Sequence, residues 1–383
     1  MTTSTPTARL ADTTITVAPS CQVEFGAGII HRLPDAIAAL GQHRAFVITD
    51  RGLRAAGVLD RVLHVLTDAG LEHGVYDGVL PNPSTATVDE GATRARRFGP
   101  AAIVALGGGS AMDAAKGIAL LAANTGTAEE FDYRDEPAHP GLPIVAIPTT
   151  AGTGAETNGF GVIEDTTRRC KVYIGHDTVR PRIAMLDPEL TVGVPAPVTA
   201  ATGIDALVHG IESLSSRGAN PISIGYARQA VRMVSAWLPS AVEDGTDLEA
   251  RAQLILGAHL AGQALTISGL GLVHGIAHAL TAHTGTPHGV ALAAVLRPVM
   301  EFNREAARAS YVLVAEAMRA QDAITAVDDL VERVGVRHPL RELGCVRNML
   351  PDIAAAAIAD AVTANSPRIP VRDDVLEILQ ATF

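Results

Sequence analysis

The sequence predicts an α/β domain over residues 1–187 followed by an all-helical domain over residues 188–383. Three observations predict this division. In the first half, short apolar runs alternate with stretches of helical periodicity, the pattern of parallel strands joined by crossover helices. After Asp187 and Pro188 the strand pattern stops, and helical stretches follow one another to the C-terminus. Of the 383 residues, 48% are hydrophobic but only 3% aromatic, so the cores must be packed from Ala, Val, Ile and Leu. Such residues suit buried parallel strands and close-packed helices.

Taken in order, the strand-like runs are AFVIT at 45–49, AAIVAL at 101–106 and PIVAIP at 143–148. Helical patterns occupy 87–97 and 111–123. In the second half, helices are expected over 199–214, 222–242, 248–265, 273–284 and 289–303, with more beyond. The domain boundary falls between Leu186 and Val194. A chain of this length supports two domains of ordinary size that bury their cores without disulfides.

Composition excludes several classes of function. A formal net charge of -11 repels nucleic acid and anionic membrane surfaces, and no basic stretch overrides it. Cys21, Cys170 and Cys345 are far apart and form no CxxC pair, which argues against a disulfide framework or a thiolate zinc site and for reduced thiols in the cytoplasm. The opening MTTSTPTARL lacks the apolar core of a secretory signal. Residues 252–296 contain no Asp, Glu, Lys or Arg, a length that exceeds the roughly 20 residues a bilayer span needs. They also contain five histidines, several glycines and Pro287, so they read as a buried helix pair rather than a membrane span.

The segment AAIVALGGGSAMDAAK has a mechanical reading. A buried strand ends at Leu106, three glycines allow a tight turn, and Ser110 stands where a helix N-cap is expected. Free N–H groups at a helix start, with the helix dipole, form an anion site that suits a pyrophosphate. Asp50, at the end of an earlier strand, can accept hydrogen bonds from ribose hydroxyls and would repel a 2′-phosphate, favouring NAD over NADP. The loop PTTAGTGAETN after the third strand supplies the hydroxyls of Thr149, Thr150 and Thr153, with Gly152 and Gly154 as conformational relief. All three segments lie beyond the carboxyl ends of strands, where sheets of this class bind ligands.

The helical half carries a metal-ligand pattern. In TGIDALVHGIE, Asp205 and His209 are four apart and share one helix face. In GLVHGIAHAL, His274 and His278 are again four apart, and TPHGVAL places His288 at a helix start. A buried Asp without a nearby Lys or Arg is costly unless it meets a cation. A divalent metal resolves that cost, and His with carboxylate suits Fe(II), Zn(II), Co(II) or Mn(II). His259 and His283 lie in the same charge-free stretch, and spacing does not separate them from the other histidines.

GGGSAMDAAK, PTTAGTGAE, ATGIDALVHGIE and GLGLVHGIAHAL with TPHG resemble the iron-containing (group III) alcohol dehydrogenases, and within them the lactaldehyde reductase (1,2-propanediol oxidoreductase) branch. The resemblance runs from about Val23 to the C-terminus. It implies a dehydroquinate-synthase-like fold, with an active site in the cleft between the two domains, and a homodimer. By motif position it implies Asp205, His209, His274 and His288 as metal ligands, with Fe(II) favoured and Zn(II) as the alternative. His278 matches a histidine near the nicotinamide that relays protons. Asp50, Asn82, Gly108, Gly109, Ser110, Thr149, Thr150, Thr153, Asn158, Val162 and Lys171 match positions lining the dinucleotide site, while His259 and His283 match neither role. Two departures touch the substrate pocket: Leu265 stands where the branch carries Phe, and Phe160 replaces a smaller polar residue.

The implied activity is hydride transfer between NAD(H) and a small alcohol or aldehyde. A dehydroquinate-synthase-type lyase on the same fold needs basic groups for a phosphate-bearing substrate, and residues 252–296 offer none. A maleylacetate-reductase-like enzyme lacks the full ligand set present here.

Overall fold

The computed structural model describes residues 15–17, 21–166, 168 and 170–383, with the backbone alone at Cys170. The opening decapeptide lies outside the described residues. Among the described residues there are eight strands: β1 (Gln22–Phe25), β2 (Arg44–Asp50), β3 (Glu72–Val79), β4 (Ala102–Gly107), β5 (Ile144–Pro148), β6 (Phe160–Asp165), β7 (Cys170–Gly175) and β8 (Ile183–Leu186). Six of them form one sheet in the order β1-β8-β5-β4-β2-β3, and every pairing in it is parallel. β6 and β7 pair with each other as a separate antiparallel ribbon.

Alternation along each strand decides what covers the sheet. Phe46, Ile48, Ile103, Ala105, Ile144 and Ala146 face one side, where they pack with α4 (Thr85–Phe98) and α5 (Gly109–Ala123). Ala45, Val47, Val104, Leu106, Val145 and Ile147 face the other, against α1 (Leu33–Ala39) and α3 (Val58–Asp68). Between β2 and α3 lies the short α2 (Arg51–Ala55). Both faces are buried, which explains why β2, β4 and β5 read as unbroken apolar runs. β3 (EHGVYDGV) and the edge strand β1 carry glycine or charge and lack such runs.

The C-terminal half is built from α6 (Ala196–Ser215), α7 (Pro221–Glu243), α8 (Leu248–Ser268), α9 (Leu272–Thr284), α10 (His288–Asn303), α11 (Arg308–Met318), α12 (Ala323–Arg333), α13 (Leu350–Ala359) and α14 (Arg372–Ala381). They share a single hydrophobic core. The five helices expected from periodicity correspond to α6–α10 within a few residues at each end. The charge-free stretch ends α8 and supplies all of α9 and the first turns of α10, mostly buried in that core. Among the described residues no single helix is long and apolar enough to cross a membrane; α8 and α9 meet that length and composition only as a pair bent by 104°.

One expectation is corrected. Ser110 is not the N-cap of α5: Gly108 is, in extended conformation, and Ser110 lies inside the first turn. The helix starts early because side chains crowd this turn. A side-chain carbon at Gly109 would sit 2.8 Å from Thr153 Cγ2, and one at Gly108 3.1 Å from Thr150 Oγ1. Only glycine lets the helix begin so close to the loop.

Candidate active site between the sheet and the helices

The sheet order reverses at β2. The chain leaves β2 for β3 on one side, then crosses back to β4 on the other. Ligands bind in the crevice that such a reversal opens at the carboxyl ends of the strands. Asp50 closes β2 and Gly107 closes β4, and a carbon added to Gly107 would lie 3.8 Å from Asp50 Oδ2. Asp50 also caps α2, its Oδ1 accepting from Leu53 N at 3.0 Å. Thr149 follows β5 and donates its N–H to Gly107 O at 3.0 Å. The free N–H groups at the start of α5 point into this crevice, a cradle of the charge that a pyrophosphate needs.

Facing this crevice is a cleft of about 260 Å³ between the two halves. Asn82, Gly109, Ser110, Thr153, Asn158, Val162 and Lys171 line its sheet side. Asp50, Gly108, Thr149 and Thr150 lie outside this cavity, farther along the strand ends. Asn82 adopts a left-handed φ of 53° and accepts from Lys171 Nζ at 3.2 Å. Asn158 Oδ1 accepts from the buried Lys116 Nζ at 2.8 Å, and Val162 N donates to Asp113 Oδ2 at 3.0 Å. Burial lowers the Lys116 ammonium and raises the Asp113 carboxyl from their usual ranges, even though the two lie 3.6 Å apart. They brace α5 against the β6–β7 ribbon, which carries Val162 and Lys171 into the cleft.

On the helical side, Asp205, His209, His274, His278 and His288 line the same cleft. Asp205 Oδ1 lies 3.2 Å from His209 Nε2, 3.5 Å from His274 Nε2 and 3.8 Å from His288 Nε2. One ligand atom from each of Asp205, His209 and His274 falls within 4.8 Å of the others. Among the described residues neither Asp205 Oδ1 nor His274 Nε2 completes a hydrogen bond, although both are buried. Buried polar atoms left without partners carry a full desolvation cost. A divalent cation among them satisfies that chemistry, and the donor set is one that such cations bind.

The protonation pattern follows from burial and mutual attraction. Burial pushes His209 down to about 4 and His288 to about 3, so both rings are neutral near pH 7. Burial also opposes ionisation of Asp205, but the facing histidines override it and hold the carboxyl well below the usual range. His274 is the exception: burial disfavours its cation, yet Asp205 and Glu212 outweigh this and raise it to about 9.

Glu212 was not among the expected site residues. It is buried and accepts from Gly271 N at 3.0 Å, Val273 N at 2.7 Å and His274 Nδ1 at 2.6 Å. A signal was present, because positions 205, 209 and 212 share one face of α6 in a segment otherwise free of charge. The structure also separates the histidines that spacing could not. His259 Nδ1 sits 3.0 Å from Glu156 Oε1 in a buried pair, and His283 Nδ1 sits 2.7 Å from Ala279 O; neither lines the cleft. Leu265 and Phe160 both line it.

A dinucleotide-type crevice that faces a cluster of metal-ligating side chains defines a cofactor- and metal-dependent enzyme. Comparison with known proteins makes the class specific. The family model described as "Iron-containing alcohol dehydrogenase" matches residues 19–188, and "Fe-containing alcohol dehydrogenase family, C-terminal" matches residues 199–383. The chain is 35% identical to the lactaldehyde reductase of Escherichia coli K12, over 94% of this chain and 97% of that one. It is 32% identical to the NAD-dependent methanol dehydrogenase of Bacillus methanolicus, over 93% and 96%. The crystal structure of a 1,3-propanediol oxidoreductase superposes with a TM-score of 0.93 at 34% identity, over 97% of this chain and all of that one. The chain therefore belongs to the iron-containing alcohol dehydrogenase family, and the fold and family that its motifs imply both hold.

Proposed function

We propose that this protein transfers hydride between NAD(H) and a small, uncharged alcohol or aldehyde, using one divalent metal held by Asp205, His209, His274 and His288. The convergence of three imidazole Nε2 atoms on one buried carboxylate oxygen, within 3.8 Å, carries the reading. Fe(II) is the favoured metal and Zn(II) the alternative, from the family and the nitrogen-rich donor set. NAD is favoured over NADP because Asp50 stands beside Gly107 at the switch point, where a 2′-phosphate would meet its charge. The NAD dependence of the methanol dehydrogenase relative supports the same choice.

Bound there, the metal supplies Lewis-acid polarisation of the substrate oxygen, and the nicotinamide supplies the hydride acceptor or donor. The chain does the rest. Gly108, Gly109, Ser110 and the hydroxyls of Thr149, Thr150 and Thr153 would hold the pyrophosphate, and Asn82, Asn158, Val162 and Lys171 would line the rest of the dinucleotide site. His278 exchanges the substrate proton with solvent. Leu265, Phe160, Leu270 and Val362 wall the remaining space. Among the described lining residues Lys171 is the sole Lys or Arg, and it is engaged with Asn82 and lies 3.9 Å from Glu164. A phosphorylated or carboxylate substrate therefore finds no unengaged Lys or Arg side chain among the described lining residues.

We read 1–187 as the dinucleotide-binding domain and 188–383 as the metal-binding domain, supported by the end of β8 at Leu186 and the start of α6 at Ala196. A homodimer in the cytoplasm completes the proposal. The test is an NAD(H)-linked screen of C2 to C6 alcohols, diols and aldehydes, with enzyme loaded with Fe(II) and separately with Zn(II). Turnover of at least one neutral substrate is expected. Its absence across the panel with metal bound sinks the proposal.

A further inference from the structure

We infer that Asp360 is a positioning residue for His278, fixing the imidazole so that its Nε2 carries the lone pair that meets the substrate. The inference rests on the proposed relay role of His278.

His278 Nδ1 lies 2.8 Å from Asp360 Oδ2. The other carboxylate oxygen, Oδ1, accepts from Val362 N at 3.1 Å, so both oxygens are committed. The Asp360 backbone is held as well. Its N–H donates to Ala356 O at the end of α13, and its carbonyl accepts from Thr363 N, both at 3.1 Å. α9 is pressed onto this segment one turn before His278. A side-chain carbon at Gly275 would sit 2.0 Å from Thr363 Oγ1, and Thr363 Oγ1 is itself tied to Ala357 O at 2.6 Å. The Asp360 and His278 side chains are only 16% and 24% exposed, so water competes weakly for the contact. The ring is further confined by stacking on His288, with centroids 5.3 Å apart and planes at 20°.

A carboxylate can only accept, so the ring proton is on Nδ1 and the lone pair is on Nε2. With Nδ1 occupied, Nε2 is the nitrogen left to the cleft that His278 lines. In alcohol oxidation it takes the hydroxyl proton, and the imidazolium so formed lies beside the Asp360 charge. The proton then passes on to solvent, which balances the hydride carried off by the cofactor. In reduction the same nitrogen returns the proton.

The test uses the metal-loaded enzyme with Asp360→Asn. Asparagine keeps an oxygen for the Val362 N–H but presents its amide N–H to the ring, which moves the ring proton to Nε2. The kcat is expected to fall by about 10²-fold or more, the scale of general acid–base catalysis, with KM for the alcohol, metal content and melting temperature unchanged. In histidine-¹⁵N-labelled protein the His278 ring should change from the Nδ1–H to the Nε2–H signature, a readout independent of turnover. Combining Asp360→Asn with His278→Ala should cost no more than His278→Ala alone. If Asp360→Asn turns over at the parent rate, or loses rate only by losing metal or melting early, the inference is overturned. If His278→Ala itself keeps full turnover, the relay reading fails and the inference with it. If only His278→Ala is impaired, the relay stands and the role of Asp360 falls.

Discussion

Glu212→Gln is the perturbation that most directly probes how the metal-ligand cluster is held. Glu212 receives three hydrogen bonds, from Gly271 N, Val273 N and His274 Nδ1, at 3.0, 2.7 and 2.6 Å. The first two pin the N-terminus of α9, and the third orients the imidazole of His274, a proposed metal ligand. Glutamine has one acceptor oxygen in place of two. If that oxygen stays with the backbone N–H groups, the amide N–H₂ faces His274 Nδ1. The ring proton must then move to Nε2, the atom that lies 3.5 Å from Asp205 Oδ1 and is needed for the metal. Loss of an outer carboxylate partner to a ligand histidine typically costs 10–100-fold in metal affinity, which is about 1.4–2.7 kcal/mol. We expect the apparent Kd for Zn(II), measured by competition with a chelator, to rise by about that factor while NAD binding is unchanged. The metal-free variant should also melt earlier, since a hydrogen bond to a charged group contributes about 1.5–3 kcal/mol. Metal affinity within about twofold of the parent would refute the argument, because a tenfold loss is the smallest effect it allows.

Three further outcomes are expected. Asp205→Ala should lose metal and reduce turnover by about 10²-fold or more, since Lewis-acid polarisation is worth several kcal/mol; full metal occupancy by elemental analysis would remove Asp205 from the ligand set. Asp50→Gly should relax the preference towards NADP at a stability cost of only a few tenths of a kcal/mol, because glycine is a tolerated N-cap; an unchanged ratio of NAD to NADP efficiency would mean that Asp50 does not meet the ribose. Metal uptake should be linked to pH through His274. In the metal-free protein that ring, raised to about 9, still holds a proton near neutrality, whereas His209 at about 4 and His288 at about 3 hold none. Binding near pH 7.5 should therefore release about one proton, with the release fading as pH rises through about 9. Calorimetry in buffers of different ionisation enthalpy counts it, and release of none, or of two or more, contradicts the assignment.

Much of the fold is legible where burial is complete. β2, β4 and β5 lie inside the sheet with both faces covered; β4 and β5 are built almost wholly of Ala, Val, Ile and Leu, and β2 carries the unbroken apolar run Ala45 to Ile48. β1 and β3 are edges of that sheet, and their burial is set by what lies alongside rather than by their own residues. The pair Asp205 and His209 on α6 is legible because the two stand at helical spacing in a charge-poor helix, whereas Glu212, on the same face, goes unread from spacing alone. Asp360 has no local signal at all: its partner His278 is 82 residues away, and only the packing of α13 against α9 brings them together. Ser110 misled because serine is a common cap, whereas here crowding by Thr150 and Thr153 selects glycine for that position.

Neither half of the chain holds a complete site, so the distance between the halves is itself functional. The loop that carries Thr149 to Asn158 belongs to the sheet, yet it is registered on α8 of the helical half. At the crossing, Gly154 meets Gly262 with no side chain between them: a carbon added to Gly154 would lie 2.5 Å from Gly262 Cα. Gly154 also has a φ of 60°, so a side chain there would be both crowded and strained. On either side of this contact the seam is polar and closed. Thr157 Oγ1 and Thr266 Oγ1 lie 3.1 Å apart, and Glu156 is paired with His259, which in turn meets Gln263 Nε2 at 3.2 Å. Burial opposes ionisation of Glu156, but the His259 contact prevails and keeps it below the usual carboxylate range. Apolar contacts alone would allow the halves to slide, whereas a directional buried pair beside a backbone crossing fixes one register. His259 is thus explained without a metal. It stands outside the proposed ligand cluster, in the buried seam where the loop after β5 meets α8.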